Sequence, residues 1–146
     1  MSDKFLPYDP GDLPTAPSPK LGEKLSLRVE GYPPKKNVHF SIRNSRHKEY
    51  SRFVALRRAA SLAMAGRAPY RGAVSLDFEM HAPGYEDRWN LNDYVGGIMD
   101  TLDGSHGCQF TYLPIVYEDD CQIVLGKSVF REDTNIFYIL EIEFLP

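Results

Sequence analysis

The sequence predicts an α+β domain in which two main helices pack on a mixed β-sheet, and two observations support this prediction. Apolar and polar residues alternate in residues 25–29 and 74–80, which is typical of strands with one buried face. In residues 45–65 and 88–104, apolar residues instead recur at helical spacing. Because strand and helix patterns are interleaved along the chain, we expect one sheet with helices packed on it.

The ends of the predicted elements carry local signals. Pro33 and Pro34 must leave the sheet after the first strand, because proline cannot donate to the hydrogen-bond ladder. Gly66 suits the end of the first helix, and Gly104 suits the position just past the second. A polar turn at residues 131–135 is expected between the last two strands. The expected strands are residues 24–31, 38–42, 72–82, 123–130 and 136–144.

The length and composition indicate one globular domain preceded by a tail. The chain has 146 residues, which is enough for a substantial core. Residues 1–23 are rich in proline and predict a flexible tail, whereas residues 24–146 form the domain. No apolar run approaches a membrane span and no signal core precedes the domain, so we expect a cytoplasmic or nucleoid-associated protein. Cys108 and Cys121 are isolated thiols, and a disulfide is not expected.

The net charge of −3 conceals a strong asymmetry between the two halves of the chain. From Lys35 to Arg71 there are ten Lys or Arg residues and a single acid, Glu49. From Asp77 to the end there are fourteen acids and only three basic residues. Such asymmetry suggests a polyanionic partner for the basic half, although the same charges could simply solvate one exposed helix.

Two acidic stretches lie at the ends of predicted elements. The first is within residues 88–104, and the second is the run of residues 118–120 that leads into an apolar strand. Carboxylates at the ends of packed elements are what a divalent cation needs, because Mg²⁺ prefers hard oxygen ligands. The pairing of these two stretches therefore predicts a metal site.

The same stretches resemble the RusA family of Holliday-junction resolvases, which are dimeric, Mg²⁺-dependent endonucleases of phages and bacteria. An early Pro-Pro-x-x-Asn element is present at residues 33–37. The central family motif is Arg-x-Asp-x-Asp-Asn, followed by Lys and then Asp-Ala-Leu, and residues 88–102 match its spacing. The later motif Asp-Asp-x-Gln-Ile/Val is matched by residues 119–123. The resemblance runs from about Leu25 to the C-terminus and implies an RusA-like fold.

Residue by residue, the resemblance assigns the three catalytic positions to Asn90, Asn92 and Asp120. The family has aspartate at all three positions, and only Asp120 keeps the carboxylate here. The family asparagine is replaced by Asp93 and the family lysine by Gly96. Asparagine offers a neutral carbonyl oxygen of nearly the same shape, so these exchanges weaken the attraction for a cation more than they change the geometry.

The resemblance implies Mg²⁺, or Mn²⁺ in its place, and the carboxylates present suggest Asp120, Asp93 and Asp119 as its ligands. It also implies branched DNA as the partner and a homodimer whose two-fold symmetry suits a four-way junction. The candidate phosphate contacts lie in the basic segment: Lys35, Lys36, Arg43, Arg46 and Lys48.

Three interpretations of these residues remain open. The first is an active RusA-like nuclease acting in DNA recombination and repair. The second is a relative that binds junctions or proteins but has lost cleavage, because Asn90 and Asn92 replace carboxylates. In the third, Asn90 or Asn92 only caps a helix, and Asp119 and Asp120 only form a polar turn.

Overall fold

The computed structural model describes residues 14–35, 48–84, 91–104 and 114–146, and it confirms the expected α+β architecture. Two helices pack on a four-stranded mixed sheet. The helices are α1 (Lys48–Met64) and α2 (Leu91–Asp103). The strands are β1 (Lys24–Glu30), β2 (Val74–Ala82), β3 (Ile123–Glu132) and β4 (Phe137–Phe144). The strand expected at residues 38–42 lies outside the described residues.

The sheet has the strand order β1-β4-β2-β3. β4 pairs antiparallel with both β1 and β2, whereas β2 and β3 run parallel. The connection between the last two strands therefore does not join neighbouring strands. This connection is also shorter than expected, because β3 extends to Glu132. β4 is suited to its central place because consecutive apolar residues, from Phe137 to Leu140, occupy both faces of the strand.

The hydrophobic core lies between one face of the sheet and the two helices. β1 contributes every second residue, and so does β2, as their alternation predicted. The predicted stripe of α1 is buried at Phe53, Leu56, Ala60 and Met64. α2 buries Tyr94, Ile98 and Leu102 at the same spacing. None of the described helices is long and apolar enough to cross a membrane.

The other face of the sheet carries a polar cluster at the end of β2. The ring of His81 stacks on Phe137 with centroids 4.3 Å apart, and the guanidinium carbon of Arg28 lies 3.8 Å from the centroid of Phe137. Glu79 bonds His81 and also pairs with Arg131, whose Nε lies 3.1 Å from Oε1. These two contacts, His81 first, lower the pKa of Glu79.

Part of the segment expected as a tail lies against the domain. The backbone N–H groups of Thr15 and Ala16 donate to the carbonyl of Gly66 at 2.9 and 3.1 Å. The hydroxyl of Ser18 donates to the carbonyl of Pro69 at 2.8 Å. Residues 14–18 therefore pack beside the end of α1, while residues 1–13 are outside the described part of the chain.

The Pro-Pro segment after β1 crosses α2 at Gly97. A Cβ atom built on Gly97 would lie 2.1 Å from the carbonyl oxygen of Pro34, which is closer than any real contact. The ring of Tyr32, next to this segment, stacks on Tyr94 of α2 with centroids 5.9 Å apart. Gly97 is thus required for a backbone to approach the helix this closely.

We expect Gly97→Ala to lower the free energy of unfolding by about 1–3 kcal/mol, even though alanine favours a helix, because Cβ would overlap the Pro34 carbonyl. Gly84→Ala is the matched control, since a Cβ there meets nothing within 4 Å. Urea unfolding of both variants measures the difference. Equal stability of the two variants would show that the Pro34 segment does not pack on Gly97.

Candidate metal centre

Three carboxylates meet where α2 ends and where a short 3₁₀ turn, Asp120–Gln122, leads into β3. Asp100 and Asp103 are three residues apart in the last turn of α2, so their side chains lie on neighbouring positions of one face. Asp120 begins the 3₁₀ turn. One oxygen from each of the three side chains lies within 4.8 Å of the other two, so this group could hold a metal ion.

The loop before the 3₁₀ turn is held against the C-terminal end of α2. The N–H groups of Ile115 and Val116 donate to the carbonyl of Leu102 at 3.0 and 3.3 Å. These bonds use one of the carbonyls that a helix leaves unpaired at its C-terminus. Gly104 has a φ of 85°, which lets the chain leave the helix at this point. The loop therefore returns Asp120 to the end of the helix.

A backbone hydrogen bond joins the two sides of the cluster directly. The N–H of Asp120 donates to Oδ2 of Asp103 at 3.1 Å. Asp103 is only 9% exposed, whereas Asp100 and Asp120 are half-buried. The carboxylate of Asp103 is thus buried and held by a backbone hydrogen bond, whereas Asp100 and Asp120 are more accessible to solvent.

The buried side chain of Tyr117 lies close to the three carboxylates. Its hydroxyl donates to the carbonyl of Met99 at 3.0 Å. Burial raises the pKa of the phenol well above its usual value, and the negative charges of Asp103, Asp120 and Asp100 raise it further, in that order. The phenol therefore stays neutral and keeps donating its hydrogen bond wherever the carboxylates are charged.

Asp119, one of the expected metal ligands, caps the 3₁₀ turn. Its Oδ1 accepts a hydrogen bond from the N–H of Cys121 at 3.1 Å, and this bond is the main reason that the pKa of Asp119 is lowered. The charge of Asp119 raises the pKa of the exposed Cys121 thiol, which favours the protonated form. Asp119 is not one of the three carboxylates that the structure brings together.

The other predicted residues of the catalytic and metal sites lie elsewhere. Asn92 is exposed in the first turn of α2, and Asp93 lies beside it. At about 1.5 Å per residue, Asn92 is about 16 Å along the helix axis from Asp103. The structure therefore does not bring Asn92 or Asp93 together with Asp120 within one chain. Asn90 lies outside the described residues, and the catalytic role of both asparagines stays a prediction.

Most of the predicted phosphate contacts lie outside the described residues. Lys36, Arg43 and Arg46 lie outside the described residues, and only the backbone of Lys48, the first residue of α1, is described. Lys35 is 8% exposed, which leaves little of its side chain accessible to a phosphate.

Sequence reasoning missed Asp100 and Asp103 as partners of Asp120. Both residues lie in the acidic stretch within residues 88–104, but neither stood out there as a metal ligand. The available signal was the Asp-x-x-Asp spacing at the end of α2 combined with the topology. When a helix connects two parallel strands, its C-terminal end lies near the beginning of the second strand, which is where Asp120 stands.

Comparison with known proteins adds no family assignment to this geometry. No protein-family model matches the chain, and no curated protein is significantly similar to it. The resemblance to the RusA family therefore depends on the motifs at residues 33–37, 88–102 and 119–123 and on their order.

We expect Asp119→Ala to lower the unfolding temperature in EDTA, because it removes the cap of the 3₁₀ turn, and Asp119→Asn to lower it less, because an amide oxygen can still accept the bond. In both variants, Mn²⁺ should still raise the unfolding temperature, because Asp100, Asp103 and Asp120 are unchanged. Thermal unfolding with and without Mn²⁺ measures both effects. A rise lost in Asp119→Ala but kept in Asp120→Asn would make Asp119 the ligand instead.

Proposed function

We propose that the chain is an RusA-type protein of DNA recombination and repair, which binds four-way DNA junctions and hydrolyses their backbone with Mg²⁺. The observation that carries the proposal is the carboxylate cluster. Of the three catalytic positions that the resemblance assigns, Asp120 is the one that keeps the family carboxylate, and it lies beside Asp100 and Asp103. The DNA-junction part of the proposal is supported by the order and spacing of the three matched motifs.

The oxygen ligands of the cluster suit a hard cation. Mg²⁺ binds oxygen ligands at about 2.0–2.1 Å in octahedral geometry, so ligand oxygens on opposite sides of one ion are about 4.2 Å apart. One carboxylate oxygen from each of Asp100, Asp103 and Asp120 lies within 4.8 Å of the other two, so the side chains would move closer together to bind one Mg²⁺ ion. Three carboxylates also leave coordination positions for water and for phosphate oxygens.

The residues of the site would have separate roles in the reaction. Asp100, Asp103 and Asp120 would bind the ion, and the N–H of Asp120 would hold the carboxylate of Asp103 in place. Tyr117 would orient the end of α2 through its bond to Met99 without adding charge. When bound, the ion would activate a water molecule and offset the charge that develops as the phosphodiester is cleaved.

A second candidate function is junction or protein binding without cleavage. Asn92 is an exposed amide at the position of a family aspartate, and Gly96 replaces the family lysine. In this alternative, the fold and the basic segment keep a binding role, and metal affinity is weak or absent.

A cleavage assay on synthetic four-way junctions with Mg²⁺ or Mn²⁺ distinguishes these functions. We expect the unaltered chain to cut the junction and Asp120→Asn to cut it at least 100-fold more slowly, because a carboxylate ligand is replaced by a neutral amide. The same assay includes the double variant Asn90→Asp/Asn92→Asp and, as the control, linear duplex DNA.

Each outcome selects one interpretation. Cleavage only by the double variant supports the silenced relative. If neither protein cuts, and neither prefers junctions to linear duplex in a binding assay, the RusA-type function is wrong for this protein.

The outer edge of β3 supports the homodimer that the resemblance implies. β3 is the last strand of the sheet, and none of the described strands pairs with its outer edge. Val124 and Leu125 on this strand are 57% and 63% exposed. An adjoining groove of about 310 Å³ lies between β3 and α2, with Val95 and Met99 in its lining. Long edges with exposed apolar residues suit pairing with another chain, and a second copy related by a two-fold axis could cover this one.

We expect Leu125→Lys to convert the dimer to a monomer, because it puts a charge into the proposed apolar interface. Leu62→Lys is the matched control, since Leu62 is 81% exposed but lies on α1. Light scattering after size-exclusion chromatography measures the mass of each. A monomeric unaltered chain, or equal masses for the two variants, would contradict dimerisation through β3.

A further inference from the structure

We propose that Gln122 is a positioning residue, which fixes the 3₁₀ turn so that Asp120 faces Asp100 and Asp103. This inference rests on the proposed metal site, and it adds to that site a residue that bears no charge. Gln122 ends the turn that Asp120 begins. Its side chain forms hydrogen bonds to backbone groups on both sides of the turn.

The carbonyl oxygen of Gln122 holds the chain just before Asp120. Oε1 accepts hydrogen bonds from the N–H of Glu118 at 2.8 Å and from the N–H of Asp119 at 2.9 Å. Together with the cap made by Asp119, these bonds close a reciprocal capping box around the turn. The backbone on both sides of Asp120 is therefore constrained.

The amide nitrogen of Gln122 ties the same turn to the segment that leads into β2. Nε2 donates to the carbonyl of Tyr70 at 2.7 Å and to the carbonyl of Gly72 at 2.8 Å. That segment is itself fixed, because the N–H of Tyr70 donates to the carbonyl of Val116 at 2.8 Å. The side chain of Gln122 thus ties the turn to the segment before β2, and that segment is bonded in turn to the loop that docks on α2.

Only an amide of this length can make all four of these bonds. Glutamine presents two N–H donors and a carbonyl oxygen with two acceptor positions, and every one of them is used here. A glutamate would keep the acceptor side but would turn a second oxygen towards the two carbonyls of residues 70 and 72. A methionine would keep the approximate shape and lose all four bonds.

The consequence falls on Asp120, because its position relative to α2 depends on the turn. The N–H of Asp120 must reach Oδ2 of Asp103, and its carboxylate must come within 4.8 Å of two others that repel it. Residues that orient metal ligands typically change metal affinity by about 10- to 100-fold when they are altered. Gln122 would orient Asp120 in this way, and we expect an effect of similar size.

The test measures the Mn²⁺ affinity of the full chain from the electron paramagnetic resonance signal of free Mn²⁺ in cold, unfrozen solution. Near-ultraviolet circular dichroism checks that each variant is folded. We expect Gln122→Met and Gln122→Glu each to weaken binding by about 10-fold or more. Cys121→Glu is the charge control, because Cys121 is exposed and its side chain makes none of the four bonds. It adds the same charge as Gln122→Glu and should bind as tightly as the unaltered chain or more tightly.

The different Mn²⁺ affinities expected for these two glutamate variants separate positioning from electrostatics. If Gln122→Glu binds Mn²⁺ as tightly as Cys121→Glu, the positioning role is wrong. If the Gln122 variants lose stability but keep the affinity, Gln122 is only structural, and the same conclusion holds if neither variant folds. Asp120→Asn tests the metal site itself, because an Mn²⁺ affinity equal to that of the unaltered chain would reject the proposed metal centre. If Asp120→Asn weakens binding but the Gln122 variants do not, the metal centre stands and only the positioning role is wrong.

Discussion

The docking of residues 114–117 onto the last turn of α2 is the constraint on which the candidate site depends. The carbonyl of Leu102 accepts two backbone hydrogen bonds from this loop, and the hydroxyl of Tyr117 bonds the carbonyl of Met99. All of these hydrogen bonds join neutral groups, and each is of a kind common in loops that pack on a helix. Their effect is to bring a carboxylate from the start of β3 beside two from the end of α2. Three like charges held this close repel one another, so a bound cation would relieve a repulsion that the fold maintains.

α2 therefore separates two groups of polar residues that the sequence alone places in one site. Its first turn carries Asn92 and Asp93, and its last turn carries Asp100 and Asp103. The parallel pairing of β2 and β3 brings the beginning of β3 near the last turn, while the groove that Asn92 lines extends along β3 as far as Ser128. Among the described residues of one chain, Asp120 thus meets the two carboxylates at the end of α2. Asp120, which the resemblance to the RusA family assigns to the catalytic site, lies in this cluster, whereas the resemblance gives no catalytic role to the other two members.

The sequence was sufficient to predict the two helices, most of the strands and the buried face of each, because alternation and helical spacing depend on local burial. It was insufficient for the strand order. The polar turn at residues 131–135 suggested that the last two strands are neighbours in the sheet, yet β4 lies between β1 and β2. The consecutive apolar residues of β4 are the only local signal of this central position. The sequence indicated that carboxylates would meet at the ends of these elements but not which ones, since their identity depends on the loop that docks on Leu102. The burial of Lys35 could not be foreseen either, because it follows from the close approach of the Pro34 segment to Gly97.

The measurement that tests this account most directly is an anomalous difference map from crystals grown with Mn²⁺, recorded near the manganese absorption edge. The account predicts one strong peak within about 2.5 Å of a carboxylate oxygen from each of Asp100, Asp103 and Asp120. A peak at the beginning of α2, beside Asn92 and Asp93, or no peak at saturating Mn²⁺, would contradict it.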